Sequence, residues 1–235
     1  MTTERREDAI AILGGTGDQG LGLALRFAQA GRPIVIGSRV PERAVGAADQ
    51  VKAAVPGARV LGLGNAEAAR SAPIVILSVP FEHAAATVKS IKGSLSPGQI
   101  VVSMGVPLAT AVGDAAVRTL GVWQGSCAEL VASLLPEGVH TVSAFQNVSA
   151  HRLRDLAQPV ECDVVVSGAA EPRRAVMALC ALVPGLRALD GGPLSNARIV
   201  ESITALLIGL NVRLKAPEGI GIRFTGVPED ARGGS

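Results

Sequence analysis

The sequence predicts an α/β protein built on a doubly wound parallel sheet, with helices on both faces. Three observations support this fold class: short apolar runs recur, segments of helical composition separate them, and glycines follow the first run. Runs that are apolar throughout are typical of strands in parallel sheets, because helical crossovers bury both faces. The 235 residues are 48% hydrophobic with a net charge of +2, which excludes the low hydrophobicity and high charge of disordered chains.

The first half of the chain alternates predicted strands with predicted helices. Helices are predicted at 21–30, 41–55 and 82–92, and Pro41 suits a first helical turn because the N–H that it lacks would have no partner there. Apolar runs predict five strands, at 9–13, 33–37, 59–63, 74–78 and 100–103. Together these elements predict one large α/β domain over residues 9–145.

The remaining chain predicts a smaller α/β part over residues 146–226. Just before it, a capping box (serine, then glutamate three residues on) predicts a helix over 126–135, and a strand follows at 139–145. Ser195 or Asn196 is expected to cap the long last helix. The predicted elements of this part are a strand at 163–167, a helix at 171–182, a strand at 186–190, a helix at 194–215 and a strand at 220–224.

Composition limits the classes of function. Only five residues are aromatic, four Phe and one Trp, with no Tyr. Proteins that bind single-stranded nucleic acid stack bases on aromatic side chains, and a charge of +2 is small for a phosphate backbone, so we expect no nucleic-acid partner. The three cysteines are far apart and lack CxxC spacing. We therefore expect buried thiols, no disulfide framework and no metal site.

The chain ends and the apolar segments bear on location. Residues 1–8 are polar and lack the apolar core of a signal peptide, and the longest apolar stretch, 203–210, is too short to span a bilayer. We therefore expect a cytoplasmic protein with no membrane partner. Segments 1–8 and 227–235 are expected to be flexible tails.

A glycine-rich loop directly follows the first predicted strand and opens the first predicted helix. Gly15, Gly17 and Gly20 form the pattern GxGxxG, which is weak alone and more specific in this strand–loop–helix context. The pattern predicts that Gly15 permits a tight turn, Gly17 admits a pyrophosphate close to the backbone, and Gly20 lets helix and strand pack closely. The N–H groups at the helix start then face the phosphates, so we predict a Rossmann-type dinucleotide site.

The end of the second strand indicates which dinucleotide binds. Sites for NAD usually place an acidic residue there, which bonds the ribose 2′-hydroxyl, whereas this chain has Gly37, Ser38 and Arg39. Arg39 and Arg43 offer guanidinium groups to a 2′-phosphate, and Ser38 offers a hydroxyl. We therefore predict NADP(H) as the cofactor. The alternatives are that both arginines are solvated or that one of them pairs with Glu42.

Two further loops lie at predicted carboxyl ends of strands, where doubly wound sheets bind their ligands. They span 78–83 and 103–107, and we expect them to flank the nicotinamide. Hydride transfer between two cofactors needs no acid from the protein in the redox step, since the cofactors carry the chemistry. We therefore assign His83 an orienting or structural role and name no catalytic residue.

Four segments carry a resemblance to a known family. They are GGTGxxGxG starting at Gly14, GSR at 37–39, SVPFEH at 78–83, and GGPLSNARIVES at 191–202, the most specific of the four. Together they resemble the NADPH-dependent reductases of coenzyme F420, a deazaflavin. The resemblance extends over residues 10–224 and implies reversible hydride transfer between NADP(H) and coenzyme F420 as co-substrate.

The resemblance also implies which residues contact the two ligands. The deazaflavin is expected to contact Gln146, Val148 and Ile220 in the C-terminal part, which in this family usually supports a homodimer. Together with the residues argued above, the implied cofactor contacts are Gly15, Thr16, Gly17, Asp18, Gln19, Ser38, Arg39, Arg43, Ser78, Val79, Pro80, Phe81, His83, Met104 and Ala150.

The chain departs from the family pattern after the strand predicted at 139–145. The family often has His-Thr-Ile-Pro-Ala there, where this chain has QNVSA from Gln146 to Ala150, and it often has Trp at the position of Phe81. A glutamine can donate a hydrogen bond to a ring carbonyl but cannot carry a proton charge. Two alternatives therefore stay open: an NADPH-dependent reductase of a flavin or of a small carbonyl or imine compound, and a non-catalytic NADPH-binding sensor.

Two expectations concern individual side chains away from the motifs. Three of the five aromatic rings, those of Phe81, Trp123 and Phe145, are expected near the cleft. Glu201 and Arg198 lie three residues apart on the long predicted helix and therefore share a face. We expect them to form an ordinary surface ion pair, which contributes less than about 1 kcal/mol.

Overall fold

We describe residues 8–228 of a computed structural model of the protein. The strands are β1 (Ile10–Leu13), β2 (Ile34–Ser38), β3 (Val60–Gly64), β4 (Ile74–Leu77), β5 (Ile100–Ser103), β6 (His140–Ser143), β7 (Cys162–Gly168) and β8 (Leu186–Asp190). The helices are α1 (Asp18–Gln29), α2 (Pro41–Ala54), α3 (Asn65–Arg70), α4 (Phe81–Ile91), α5 (Cys127–Leu134), α6 (Ala150–Arg154), α7 (Ala170–Cys180) and α8 (Ala197–Leu214). No helix in the described range combines the length and the apolar character that crossing a bilayer requires.

The strands form one sheet in the order β3-β2-β1-β4-β5-β6-β7-β8. The pairs from β3 to β6 are all parallel, and the order reverses between β1 and β4, which makes this the doubly wound arrangement that the sequence predicted. Strand β7 runs antiparallel to β6, and β8 runs parallel to β7. The sheet is therefore mostly parallel, with a change of direction where the C-terminal part joins it.

Strand β1 shows how the core is divided between the two faces of the sheet. Ile10 and Ile12 belong to the apolar cluster on one face, and Ala11 and Leu13 to the cluster on the other. This division follows because successive side chains of a strand point to opposite faces. All four residues are buried, as expected for a central strand that helices cover on both sides.

A buried arginine ties α1 to the short helix α6. Arg26 donates hydrogen bonds to the backbone oxygens of Arg152, Leu153, Asp155 and Gln158, with donor–acceptor distances of 2.5–2.9 Å. These carbonyls lie at and just beyond the carboxyl end of α6, where helix carbonyls lack partners and attract a cation. These hydrogen bonds fix the segment after β6 against α1, the helix that begins at the end of the glycine loop.

Predicted and observed elements differ at three places. Helices α3 and α6 were not predicted, because six and five residues are too few to show a helical period. The strand predicted at 220–224 is wrong: Asp163 holds this segment, by donating its N–H to the Ile222 oxygen at 2.8 Å and accepting from the Phe224 N–H at 2.7 Å. Asn196 precedes α8 as predicted, but its side chain makes no capping bond.

The capping box is confirmed, whereas the domain boundary stays a prediction. The Ser126 hydroxyl accepts from the Glu129 N–H at 3.0 Å and donates to the Glu129 carboxylate at 2.8 Å, at the start of α5. The sheet continues across the predicted boundary between 9–145 and 146–226 through the β6–β7 pairing. The tails predicted at 1–8 and 227–235 lie outside the described residues, apart from residues 8, 227 and 228.

Candidate functional site

A cleft opens at the carboxyl ends of β1 and β4, where the strand order reverses. It holds two cavities that share Gly17, Ser78, Val79 and Pro80 as wall residues. The α8 cavity, of about 520 Å³, is also lined by Asp18, Gln19, Phe81, Glu82, Met104, Gly105, Val106, Leu108, Thr110, Gln146, Thr204 and Ile208. The arginine cavity, of about 480 Å³, is also lined by Gly14, Thr16, Ser38, Arg39, Val40, Arg43, Asn65, His83 and Thr87.

The glycines of the loop serve two purposes: some allow close packing, and one leaves the backbone accessible from the cleft. Gly14 has a φ of 78°, and a Cβ there would overlap the Ser78 carbonyl oxygen, so the tight turn depends on Gly14. Gly15, to which the turn was assigned, is confined as well, because a Cβ there would lie 3.0 Å from both the Ile12 oxygen and the Ile36 side chain. A Cβ on Gly20 would lie 2.8 Å from the Gly14 oxygen, which supports its predicted role in close packing. A Cβ on Gly17 would make only an ordinary contact at 3.5 Å. Its missing side chain therefore leaves the backbone open to the cleft.

Helix α1 presents its amino end to the cleft. It begins at Asp18, and the glycine before it offers no side-chain cap, so the first N–H groups have no partner within the helix. The Asp18 carboxylate pairs with Arg154 at 2.6 Å, which offsets its negative charge near an anion site. The Gln19 side chain donates to the backbone oxygens of Phe145 and Val148 at 3.0 and 3.2 Å, and so ties this helix end to the segment after β6.

The arginine cavity contains two exposed guanidinium groups without an internal partner. Ser38 ends β2 and accepts a hydrogen bond from the Val40 N–H at 3.1 Å. Neither Arg39 nor Arg43 forms an ion pair within residues 8–228, so the alternative pairing with Glu42 is wrong. Both side chains are therefore available to an anion in this cavity.

Asn65 is a cavity residue that the sequence reasoning missed. It is the first residue of α3, directly after β3, and it lines the arginine cavity together with Ser38. Its Oδ1 is buried and has no hydrogen-bond partner in the structure. A polar residue directly after a predicted strand was the available signal, because β3 ends at the same edge of the sheet as β2.

The α8 cavity is lined by residues that follow β5 and β6 and by one face of α8. Gln146 is only 4% exposed, donates its Nε2 to the Ser143 hydroxyl, and leaves its Oε1 without a partner. The Thr204 hydroxyl donates to the Gln146 backbone oxygen at 3.1 Å, and Met104 and Ile208 add apolar walls. A buried acceptor without a partner costs free energy, and a ligand that donates to it recovers that cost.

The loop after β4 is divided between the two cavities. Val79 and Pro80 line both cavities, Phe81 and Met104 line the α8 cavity, and His83 lines the arginine cavity. The residues predicted along the nicotinamide thus surround the junction of the cavities, with His83 on the side of the arginines. His83 is exposed, which is compatible with an orienting role.

Four predicted contact residues line neither cavity in this structure: Gly15, Ala150, Val148 and Ile220. Val148 is buried in the core. Ile220 donates its backbone N–H to the side chain of Asn211 at 2.7 Å and lines neither cavity. Ala150 lies at a separate surface hollow beside Asp18.

Of the three aromatic rings expected near the cleft, only that of Phe81 lines a cavity. Phe81 lines the α8 cavity, but Trp123 is 98% exposed and lines neither cavity. Phe145 is buried and packs edge-on against Phe27, with ring centroids 6.2 Å apart. Its φ of 69° is costly for a bulky side chain, and burial of the ring offsets that cost.

Glu201 is not the surface residue that its spacing from Arg198 suggested. It is 1% exposed, and its two carboxylate oxygens accept from the backbone N–H groups of Cys127 and Ala128 at 2.9 and 3.0 Å. It forms no ion pair with Arg198. Burial raises the pKa of Glu201 to about 7, although the two backbone hydrogen bonds lower it. Helical period and spacing cannot show that another helix begins beside this position.

The three cysteines are buried free thiols, as expected. Burial raises the pKa of the Cys127 thiol to about 12 and also raises the pKa values of Cys162 and Cys180. Among the described residues, no group of three or more His, Cys, Asp or Glu side chains could hold a metal ion. The chemistry that the cleft itself offers is therefore anion binding in one cavity and polar contact beside apolar walls in the other.

Comparisons with known proteins agree with this site. The family model described as NADP oxidoreductase, coenzyme F420-dependent, matches residues 9–107. The F420-dependent NADP reductase of Methanocaldococcus jannaschii is 49% identical over 92% of this chain and 97% of its own length. The F420-dependent NADP reductase of Methanothermobacter marburgensis is 44% identical over 94% of this chain and 99% of its own length.

A solved structure supports the fold. A crystal structure from Arthrobacter sp. FB24, described as a candidate F420-dependent NADP reductase, superposes with a TM-score of 0.75 over 92% of this chain and 99% of that chain. Its 24% identity makes this a likeness of fold alone, and it confirms the Rossmann-type α/β class. On the identities with the two archaeal reductases, the chain belongs to the family of F420-dependent NADP reductases.

Proposed function

We propose that the chain is an oxidoreductase that transfers a hydride reversibly between NADP(H) and coenzyme F420. Relatives with 43–49% identity over most of the chain are F420-dependent NADP reductases. The structural observation that carries the proposal is the pair of cavities that meet at Gly17, Ser78, Val79 and Pro80. Two ligands that fill these cavities meet at the shared wall, and direct hydride transfer requires such proximity of the two reacting rings.

The residues of the arginine cavity fit NADP(H), which when bound supplies or accepts the hydride at its nicotinamide. The open backbone at Gly17 and the amino end of α1 suit a pyrophosphate. Arg39 and Arg43 are unpaired cations for a 2′-phosphate, with the Ser38 hydroxyl beside them. The unpartnered Oδ1 of Asn65 suits a donating hydroxyl of the adenosine ribose. The lack of an acidic residue at the end of β2 favours NADP(H) over NAD(H).

The residues of the α8 cavity fit a planar ring system with few polar groups. Val79, Met104 and Ile208 present apolar walls, and Phe81 supplies the single aromatic ring among the lining residues. The unpartnered Oε1 of Gln146 accepts a hydrogen bond from a ring N–H in this proposal. Because this cavity has little aromatic surface, the two cofactor rings contact each other more than they contact the protein.

A spectroscopic assay tests the proposal directly. Purified protein is mixed with NADPH and the oxidised deazaflavin, and the loss of the visible absorbance of the deazaflavin is followed. We expect turnover that saturates with both substrates. Tight NADPH binding without turnover would contradict the proposal. Turnover with riboflavin phosphates or with small carbonyl or imine compounds alone would favour the other reductases, and binding without any turnover would favour a sensor.

We further propose that residues 146–226 cover the deazaflavin and that the outer face of α8 contacts a second copy of the chain. Ile199 and Leu206 are exposed apolar side chains seven residues apart, so they share one face of this helix, and such a pattern marks a contact surface. Light scattering is expected to give twice the chain mass of 23.8 kDa, and Leu206→Asp is expected to give the chain mass itself.

The buried free thiols favour a reducing compartment such as the cytoplasm, which cell fractionation tests.

A further inference from the structure

The one carboxylate on α8, that of Glu201, joins this helix to the amino end of α5. The two oxygens of Glu201 accept separately from the backbone N–H groups of Cys127 and Ala128, at 2.9 and 3.0 Å. These are the first two residues of α5, whose N–H groups have no partner within their own helix. The third N–H of the same turn, that of Glu129, is satisfied by Ser126. Glu201 therefore completes the cap of a helix that lies more than 60 residues away in sequence.

The same carboxylate stands behind one wall of the α8 cavity. Thr204 and Ile208 follow Glu201 by three and seven residues, so all three lie on one face of α8. Thr204 and Ile208 line the cavity, and the Thr204 hydroxyl donates to the Gln146 backbone oxygen at 3.1 Å. The position of Glu201 thus sets how far this face of α8 stands from the rest of the cavity.

Another part of the cavity wall meets the same helix end. Gly105 lines the cavity after β5, and a Cβ on Gly105 would overlap the sulfur of Cys127. The Ser103 hydroxyl donates to the Cys127 sulfur at 3.8 Å. The amino end of α5 is therefore in contact with the β5 loop on one side and with Glu201 on the other. No residue of this group lines the arginine cavity.

We propose that Glu201 is a positioning residue for the deazaflavin: by holding α8 against α5, it sets the width of the α8 cavity without affecting the arginine cavity. The proposal rests on the proposed function, since it names the deazaflavin as the ligand of the α8 cavity. It extends that function to a residue that touches neither cofactor. The neutral isostere glutamine can accept only one of the two N–H groups, because its amide nitrogen is itself a donor.

The charge of Glu201 adds a pH-dependent signature to the proposal. Burial raises the pKa of Glu201 to about 7, and the groups that face it are the Cys127 thiol, the Glu129 carboxylate and Arg198 at the edge of the adjoining hollow. The raised pKa of Cys127 keeps that thiol neutral at the pH values concerned. Below pH 7 a protonated Glu201 becomes a donor and loses one of its two acceptor bonds, so the cavity loosens as the pH falls.

The test compares Glu201→Gln with Glu129→Gln, the same chemical change at the same helix end on a side chain whose hydrogen bond stays within the capping box. We expect Glu201→Gln to raise the KM for the deazaflavin about tenfold, the effect of one lost charge-assisted hydrogen bond, with less than a twofold change in the Kd for NADPH. We expect Glu129→Gln to change both constants less than twofold. Between pH 8 and 6 the KM for the deazaflavin should rise in wild type and in Glu129→Gln but stay constant in Glu201→Gln. Equal losses for both ligands, or no loss for either, would overturn the proposal.

Amide hydrogen exchange separates this proposal from the proposed function, because it needs no turnover. We expect faster exchange in Glu201→Gln at residues 127–128 and along the cavity face of α8, with unchanged exchange in the glycine loop. Unchanged exchange on α8 would overturn the positioning role even in an active enzyme. If wild type fails to reduce the deazaflavin while this exchange pattern is found, the proposed substrate is wrong and the link from Glu201 to the cavity wall stands.

Discussion

The two cavities of the cleft differ in how the chain builds them. The arginine cavity is formed by segments that each follow directly on one of the strands β1 to β4. The α8 cavity also needs Gln146, Thr204 and Ile208, which come from distant parts of the chain. Local chain geometry therefore shapes the first cavity, and the packing of α8 shapes the second.

This difference implies that the two ligand sites can be damaged separately. Changes at the end of β2 should weaken NADPH binding and leave the α8 cavity intact, because Ser38, Arg39 and Arg43 line the arginine cavity and not the other. Changes on the inner face of α8 should weaken deazaflavin binding and leave NADPH binding intact. Thr204, which contacts Gln146, and Glu201, which contacts α5, are two of the polar links by which that face is held.

The largest effect is expected from Gly14→Ala at the arginine cavity. A side chain there combines a positive φ with overlap on the Ser78 carbonyl, so we expect a loss of about 2–5 kcal/mol in unfolding free energy together with loss of NADPH binding. Gly31→Ala is the matched control, because Gly31 has the same φ of 78° with nothing within 4 Å of the added Cβ. Chemical denaturation and NADPH titration measure both. Equal losses in the two variants would show that overlap with Ser78 has no part.

The second-largest effect concerns Glu201, the carboxylate behind the α8 cavity. Its contribution to the free energy of unfolding depends on pH. Because the folded pKa of Glu201 is raised from 4.5 to about 7, the folded state binds a proton between these values and the unfolded chain does not. The protonated Glu201 carboxyl therefore stabilises the folded state relative to the ionised carboxylate. This contribution to the free energy of unfolding is complete below pH 4.5 and is lost as the pH rises through 7. The stability of wild type relative to Glu201→Gln should fall by about 3 kcal/mol over this range. A difference that stays flat or rises with pH in denaturant titrations would contradict the raised pKa.

A smaller effect is expected from Arg39→Ala in the arginine cavity. Loss of a charge-assisted hydrogen bond to the 2′-phosphate should weaken NADPH binding about 10- to 150-fold. Binding of NADH, which lacks that phosphate, should change little. Arg174→Ala serves as control, because Arg174 is also exposed but lies on α7, outside both cavities. Fluorescence titration with both nucleotides gives the result, and equal losses for NADH and NADPH would exclude the 2′-phosphate contact.

The smallest effect is expected from Thr204→Val, which keeps the shape of the side chain and removes its bond to Gln146. Loss of one neutral hydrogen bond contributes about 0.5–1.5 kcal/mol, so the KM for the deazaflavin should rise roughly two- to tenfold. The Kd for NADPH should not change. Ser202→Ala on the same helix removes a hydroxyl that bonds only within α8, to the Arg198 oxygen, and it should change neither constant. A shift in NADPH affinity with Thr204→Val would show that the two cavities are coupled.

These contrasts explain which parts of the molecule could be predicted from sequence. The arginine cavity could be predicted because parallel strands end at one edge of the sheet, which brings the glycine loop and the arginines together. Asn65 follows the same rule and was missed only because α3 is too short to show a helical period. The capping box was found because both of its partners lie within four residues.

The α8 cavity could be predicted only in part, because its contacts depend on tertiary packing. Gln146 was named from the family pattern, whereas Thr204 and Ile208 were not named at all. Glu201 was expected on the surface, since helical spacing places it near Arg198 and cannot show that α5 begins beside it. Phe145 was expected in the cleft, but its side chain packs against Phe27 in the core.

Transfer of deuterium from NADPH that carries deuterium at both C4 positions tests most directly whether the two cofactors react in this cleft. The labelled NADPH is incubated with the protein and oxidised coenzyme F420 in ordinary water, and the reduced deazaflavin is examined by mass spectrometry and NMR. We expect one deuterium at C5 of the deazaflavin for each NADPH oxidised, because the rings meet at the shared wall of the two cavities. Reduced deazaflavin without deuterium, or oxidation of NADPH without reduction of the deazaflavin, would contradict direct transfer.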